Sequence, residues 1–144
     1  MSEREGLGAV DFDTAFMRRR EPEAGDFDVM GHVNNTVYVR WVQDIAVAHW
    51  EAVAPDVMRA ENLFIVLRHE VNYRDPVLPG DTVEVRTWLG RARGPRFLRH
   101  VDIRKPGAAR ASAEAATDWC MLDATTKRPK RVGDDILAAF KVPG

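Results

Sequence analysis

One change of rhythm limits this chain more than any other feature. Tyr38, Trp41, Val42, Ile45, His49, Ala52 and Val53 recur at three- and four-residue steps, the spacing that lines up one face of an α-helix. Arg40, Gln43, Asp44, Val47 and Glu51 fall mostly on the other side. Asn34, Asn35 and Thr36 are each suitable N-caps, and Pro55 marks the end, so the pattern predicts one helix of about five turns. After Pro55 the period drops to two. "LFIVLRHEVNYRDPV" alternates Leu63, Ile65, Leu67, Val71 and Tyr73 against Arg68, Glu70, Asn72 and Arg74. Its first four residues are apolar on both faces, as expected of a strand covered on both sides. "GDTVEVRTWLGRAR" sets Val83, Val85, Thr87 and Leu89 against Glu84, Arg86 and Trp88, and "RFLRHVDIRK" sets Phe97, Val101 and Ile103 against charged neighbours. The alanine-rich "GAARASAEAATDWCML" suits a helix by composition, but it follows strands and ends in "TDWCML", and it is assigned as a strand.

Upstream of the helix, Val10 to Arg20 has the β-prone residues of a first strand, and Glu21 to His32 is a loop punctuated by Pro22, Gly25 and Gly31. Residues 1–9 are expected to be a loose segment, and "TTKRPKRVGDDILAAF" to be a basic turn and a short helix. Strand, long helix and four strands joined by short turns favour antiparallel neighbours. The expectation is one α+β domain over residues 10–144, with the helix packed on one sheet face. At 144 residues, 45% apolar and 30% charged, the chain has the size and composition to bury a core.

The charge balance, 21 basic against 22 acidic residues, gives no global reason to expect nucleic acid or an anionic membrane as partner. The single cysteine, Cys120, cannot form an intrachain disulfide, and the first residues lack the apolar core of a signal peptide. No apolar run approaches the ~20 residues that cross a bilayer. A cytoplasmic protein is expected.

The polar stretch before the helix, "GDFDVMGHVNNTVYVRW", raises the question of chemistry. As a calcium loop it fails, because its fifth and twelfth positions counted from Asp26 are Met30 and Val37, where oxygen ligands are needed. Asn34-Asn35-Thr36 fits the glycosylation pattern, which serves only a secreted chain. His32, His49, His69 and His100 form no zinc pattern, and no metal is expected. There is no phosphate-binding G-x-x-x-x-G-K and no G-x-S-x-G elbow; Ser2 and Ser112 are the only serines. Cys120 lies among Trp119, Met121 and Leu122, where a buried, inert thiol is expected. A carboxylate, a histidine and amides beside a helix N-terminus survive. The exposed N–H groups there can hold an oxyanion, and a nearby aspartate can direct water or attack directly. Read by itself, the same set also serves as an ordinary cap on a solvated loop.

The surroundings weigh against the plain cap. "DFDVMGHVNNTVYVRWVQD" resembles the D-x-D-x-x-G-H-V-N-N-x-x-Y signature of acyl thioesterases with the hotdog fold, the 4-hydroxybenzoyl-CoA thioesterase superfamily. "VNYRDPVLPGDTVEV" resembles their second signature and "KRPKRVGDDI" their usual ending. The resemblance spans roughly residues 10–140 and implies a curved antiparallel sheet wrapped around one long central helix. It also implies subunit pairing, as a homodimer or homotetramer, with active sites at the interface. Carried over, Asp28 matches the acid that acts as nucleophile or general base, and Asn35 is the best match for the amide that polarises the thioester carbonyl. His32 and Asn34 fall where relatives place groups that position water or the acid. Glu70 is a looser match for a second carboxylate. Some relatives have asparagine where this chain has Met30, so a role for that amide is missing here. No cofactor is implied beyond coenzyme A as part of the substrate; the thioester could equally be carried by acyl-carrier protein.

Other residues are set against plainer roles. Arg91, Arg93, Arg96 and Arg99 flank a hairpin signal, where they suit coenzyme A phosphates or a solvated, charge-protected edge. His49 is expected to be packed, Asp44 exposed or at an interface, and Asp26 structural; His69 and His100 are given no chemistry. A hotdog dehydratase is disfavoured, because no histidine lies in that family's histidine-proline-glycine context. A non-catalytic acyl-CoA binding module is the rival from another class.

Overall fold

A computed structural model describes residues 11–140; residues 1–10, which include the loose segment expected over 1–9, and residues 141–144 lie outside the described residues. The elements in order are β1 (Phe16–Arg20), α1 (Asn35–Val53), α2 (Asp56–Glu61), β2 (Asn62–Tyr73), β3 (Val83–Arg93), β4 (Arg96–Arg104), β5 (Ala113–Asp123) and α3 (Asp134–Ala139). The strands form one antiparallel sheet in the order β1-β3-β4-β5-β2. Its concave face holds α1, which is the hotdog arrangement. Val37, Tyr38, Trp41, Val42, Ile45, Ala46 and His49 are the buried stripe of α1. All but His49 meet Val83, Val85, Leu89, Val101, Ile103, Ala113 and Met121 of the sheet in two core clusters.

Several expectations need correction. Among the described residues the first strand begins at Phe16, because the Asp11 carboxylate accepts from the amides of Asp13 and Thr14 and closes a turn there; Val10, its expected start, lies outside them. The helix α2 is an addition to the expected elements: Pro55, read as a stop, is also the N-cap of the next helix, and six residues give periodicity no room to show. In the alanine-rich stretch only Ala113 onward is strand. Along β2 the inward residues are not the expected set. A register shift between Val66 and Arg68 inserts one extra residue and reverses the side-chain phase. Phe64, Val66, His69 and Val71 are half-buried, while Leu63, Ile65 and Leu67 are 39%, 44% and 47% exposed. The strand is therefore covered on one face only, and it lies at an edge of the sheet.

Arg99 also departs from its expected solvated place. Counting by twos, it lies on the same face as Phe97, Val101 and Ile103, and it is 2% exposed. Its Nη1 donates to Thr87 Oγ1 at 3.0 Å and lies 2.9 Å from His49 Nδ1. A guanidinium can only donate, so His49 accepts through Nδ1 and carries its proton on Nε2. The imidazole stacks on Phe16 at 4.7 Å and meets Phe140 edge-on at 4.9 Å. His49 is thus the packed histidine the helix pattern predicts. Burial, and then the charges of Arg99 and Arg18, push its pKa down to about 3.

This shift has a consequence for acid stability. An unfolded histidine takes up a proton below pH ~6.5, whereas His49 in the fold stays neutral down to about 3. The contribution is complete above the unfolded value and is lost as pH falls from there toward 3, at up to about 1.4 kcal/mol per pH unit. Imidazole NMR titration checks it: the His49 ring signals should stay in the neutral position at about pH 5, midway between the two values, and a midpoint near the unfolded value would contradict the assignment.

Candidate active site

The loop before α1 is built from backbone hydrogen bonds around two aspartates. A 3₁₀ turn over Ala24–Asp26 buries Asp26, whose Oδ2 accepts from the Glu23 amide at 2.8 Å and Oδ1 from Arg40 Nη2 at 3.0 Å. Burial alone would raise its pKa, but the Glu23 amide and the Arg40 guanidinium outweigh that and hold the carboxyl below its ordinary value. Its carbonyl accepts from the Asn34 amide at 2.8 Å, tying the loop to the helix start. Asp26 is therefore engaged in structure on both oxygens.

Asp28 is held differently. Its Oδ1 accepts from the amides of Met30 at 2.9 Å and His32 at 3.1 Å, while its own amide donates to the His32 carbonyl at 2.8 Å. Its Oδ2 has no hydrogen-bond partner among the described residues, so one oxygen fixes the carboxylate and the other is open. The tight turn needs Gly31 at φ +77°, a conformation costly for residues with a Cβ. The backbone N–H of Met30 holds the acid here, and its side chain is 72% exposed.

Asn34 caps α1: its Oδ1 accepts from the Thr36 amide and hydroxyl, both at 2.9 Å. The next amide, that of Asn35, has no partner among the described residues, as the first N–H of a helix generally lacks one. Asp28, His32 and Asn35 line one cavity of about 300 Å³, together with Tyr73, Arg74 and Ser112. Tyr73 donates through its hydroxyl to the Asn35 carbonyl at 3.2 Å and packs edge-on against Tyr38 at 5.6 Å. Tyr38 in turn accepts from the Val77 amide at 3.2 Å, and burial pushes its phenol above the ordinary value. The combination offers a fixed carboxylate and an unoccupied helix-start donor around one opening. That arrangement can act on a carbonyl carbon.

Of the four expected catalytic residues, Asp28, His32 and Asn35 share this cavity, and Asn34 is at its edge with its side chain committed to the cap. Glu70 is exposed on β2 and does not line the cavity, nor do Arg91, Arg93 and Arg96 at the β3–β4 hairpin. Arg96 lies 3.5 Å from Asp118, a weak surface pair. Arg74 and Ser112 are site residues that the sequence pattern does not single out. Tyr73 was legible within the second signature; Ser112 reaches the cavity because its carbonyl accepts from the Arg74 amide at 2.8 Å, a pairing across the sheet that local sequence does not display.

Residues 22–140 match the family model described as the thioesterase-like superfamily. Among solved structures, the hypothetical protein TT1821 from Thermus thermophilus is 25% identical with a TM-score of 0.74, over 86% of this chain and 95% of that one. The PA2801 protein from Pseudomonas aeruginosa is 26% identical with a TM-score of 0.75, over 85% and 95%. A second Thermus thermophilus protein, a thioesterase complexed with coenzyme A and zinc, is 23% identical with a TM-score of 0.74, over 94% and 93%. No curated protein sequence matches the chain.

The Gly31 turn gives the first test of the site. Nothing lies within 4 Å of a Cβ built there, so only the backbone objects to substitution. Asparagine tolerates this conformation better than β-branched residues do. Gly31→Val should lower the melting temperature by several degrees, for a cost of about 1–2 kcal/mol, and Gly31→Asn by clearly less. Equal melting temperatures would show that the turn does not depend on the left-handed glycine.

Proposed function

The chain belongs to the thioesterase-like superfamily, and on that premise we propose that it is a thioester hydrolase that acts on acyl-coenzyme A thioesters through Asp28. The carrying observation is the two-sided state of that carboxylate, pinned through Oδ1 by the Met30 and His32 amides and open at Oδ2. It shares a cavity with the unpartnered amide of Asn35. Oδ2 takes a proton from an attacking water, or attacks the acyl carbon itself to give an anhydride that water then opens. In either course the carbonyl oxygen gains negative charge, which the Asn35 N–H and the positive end of α1 stabilise. The coenzyme leaves as a thiolate, a good leaving group that asks little of a general acid. His32 lines the same cavity and is placed to orient water. The coenzyme A bound in the second Thermus thermophilus protein supports a coenzyme A carrier.

The working unit is proposed to be a dimer. Val29 and Met30, 104% and 72% exposed, directly follow Asp28, and Leu63, Ile65 and Leu67 form an exposed apolar row on the edge strand β2. Such a row beside unpaired edge groups invites a second sheet edge. Arg91, Arg93 and Arg96 would then reach coenzyme A phosphates only from the partner copy, since none lines the Asp28 cavity of its own chain.

A panel of acyl-coenzyme A and acyl-carrier-protein thioesters, assayed for thiol release with Asp28→Asn alongside, tests the proposal. Asparagine keeps an oxygen for the Met30 and His32 amides, so the melting temperature should hold while kcat/KM falls by about 100-fold or more. Turnover that survives within about threefold would remove Asp28 from the chemistry, a range far below the contribution of a working general base. Binding without turnover by the parent protein would instead favour a sensing module, and preference for the carrier-protein thioesters would replace the coenzyme. For the dimer, Ile65→Lys should give the monomer mass by light scattering and lose turnover; an unchanged mass would place the interface elsewhere.

A further inference from the structure

A second cavity lies at the opposite end of α1, roughly 20 Å along the helix from Asn35 at about 1.5 Å per residue. It has a volume of about 230 Å³. Its walls are aromatic, from Trp50, Phe64, Phe97, Trp119 and Phe140, with Arg99 set among them. Thioester hydrolysis at Asp28 makes no use of it.

The polar atoms of this wall are short of partners. Arg99 Nε, Arg59 Nε, Trp119 Nε1 and Asn62 Oδ1 are buried without a hydrogen bond among the described residues, and all four residues line the cavity. Native proteins leave few such atoms, and here four of them belong to residues around one cavity. Arg99 bears the largest cost. It is 2% accessible, it spends Nη1 on two neutral acceptors, His49 and Thr87, and no carboxylate pairs with it among the described residues. A cation buried without a counter-charge is strongly unfavourable, and burial draws its pKa down to about 9. An anion brought into the cavity would supply the counter-charge that Arg99, one of its lining residues, lacks.

Size and lining narrow the anion. A dry apolar cavity of about 150 Å³ takes one benzene ring, and drug-sized ligands fill roughly 300–1,000 Å³. The space here fits one ring with a small polar group. Aromatic walls favour stacking and edge contacts with a flat body, and a planar guanidinium matches a planar carboxylate in a forked pair. A phosphate would carry more charge into the same dry walls. We propose that this cavity is a binding site for a small aromatic carboxylate, its ring among the aromatic side chains and its carboxylate against Arg99. The site does not rest on Asp28 being the reacting group.

Calorimetric titration of the full chain with benzoate, phenylacetate and the neutral isostere benzamide tests this, with the Trp119 indole N–H followed by NMR. Benzoate or phenylacetate should bind saturably, at least about tenfold tighter than benzamide, as expected of a charge-assisted pair, and should shift the Trp119 signal. Val47 lines the cavity and is 53% exposed, so Val47→Trp should block binding without disturbing the core. Arg99→Met should bring benzoate and benzamide to the same affinity. Equal affinities in the parent protein, no saturable binding of either acid, or binding untouched by Val47→Trp would each overturn the site. Should Arg99→Met fail to fold, the benzamide comparison and Val47→Trp still decide.

Discussion

Trp41 and Val42 are each 1% exposed and Tyr38 and Ile45 each 3%, and the burial of that one stripe of α1 fixes everything else in the molecule. A helix sealed on one side can neither rotate nor slide against the sheet without exposing several large side chains, each worth about 1.5–3 kcal/mol of burial. Its first turn is therefore held at a constant depth. The Val33 amide donates to the Val77 carbonyl at 2.9 Å, and the Asn34 amide to the Asp26 carbonyl. The loop carrying Asp28 is thus tied to a rigid element at both ends. Packing supplies the placement, and the backbone amides of Met30 and His32 supply the aim.

The two ends of α1 carry opposite electrostatic situations. At its start a fixed carboxylate stands beside an unpartnered N–H, in a half-open cavity. Near its far end a guanidinium and a neutral histidine are enclosed by aromatic rings. Asp28 accepts from two backbone amides through one oxygen in the loop before the helix. Arg99 keeps its proton although its surroundings offer only neutral acceptors. Each charge is unusual in one respect, an open oxygen in the first case and a missing counter-ion in the second, and those two features are where ligands are expected.

Much of this was legible in the residues. The stripe from Tyr38 to His49 gave the helix and its buried face, although Ala52, counted in the same stripe, is exposed, and the alternation of Val83, Val85, Thr87 and Leu89 gave the inner face of β3 as it stands. The same parity places Arg99 inward beside Phe97 and Val101, but charge argued for solvent and parity won. The extra residue between Val66 and Arg68 reversed the face of β2, because a bulge leaves no mark in composition. The helix α2 was too short to show a period. Asp28 and Tyr73 stood out because their neighbours matched signatures, whereas Arg74 and Ser112 join them through pairing between residues far apart in the chain. Local pattern reports the elements well; it does not report what the register brings together.

In the proposed reaction the open oxygen of Asp28 and the Asn35 amide act on the same thioester carbonyl from its two sides. A crystal structure of the Asp28→Asn protein with an unhydrolysed acyl-coenzyme A tests it most directly. The carbonyl oxygen should lie within about 3 Å of the Asn35 nitrogen and the carbonyl carbon about 3–3.5 Å from the side chain at position 28. A thioester seated elsewhere, with its carbonyl out of reach of both groups, would contradict it.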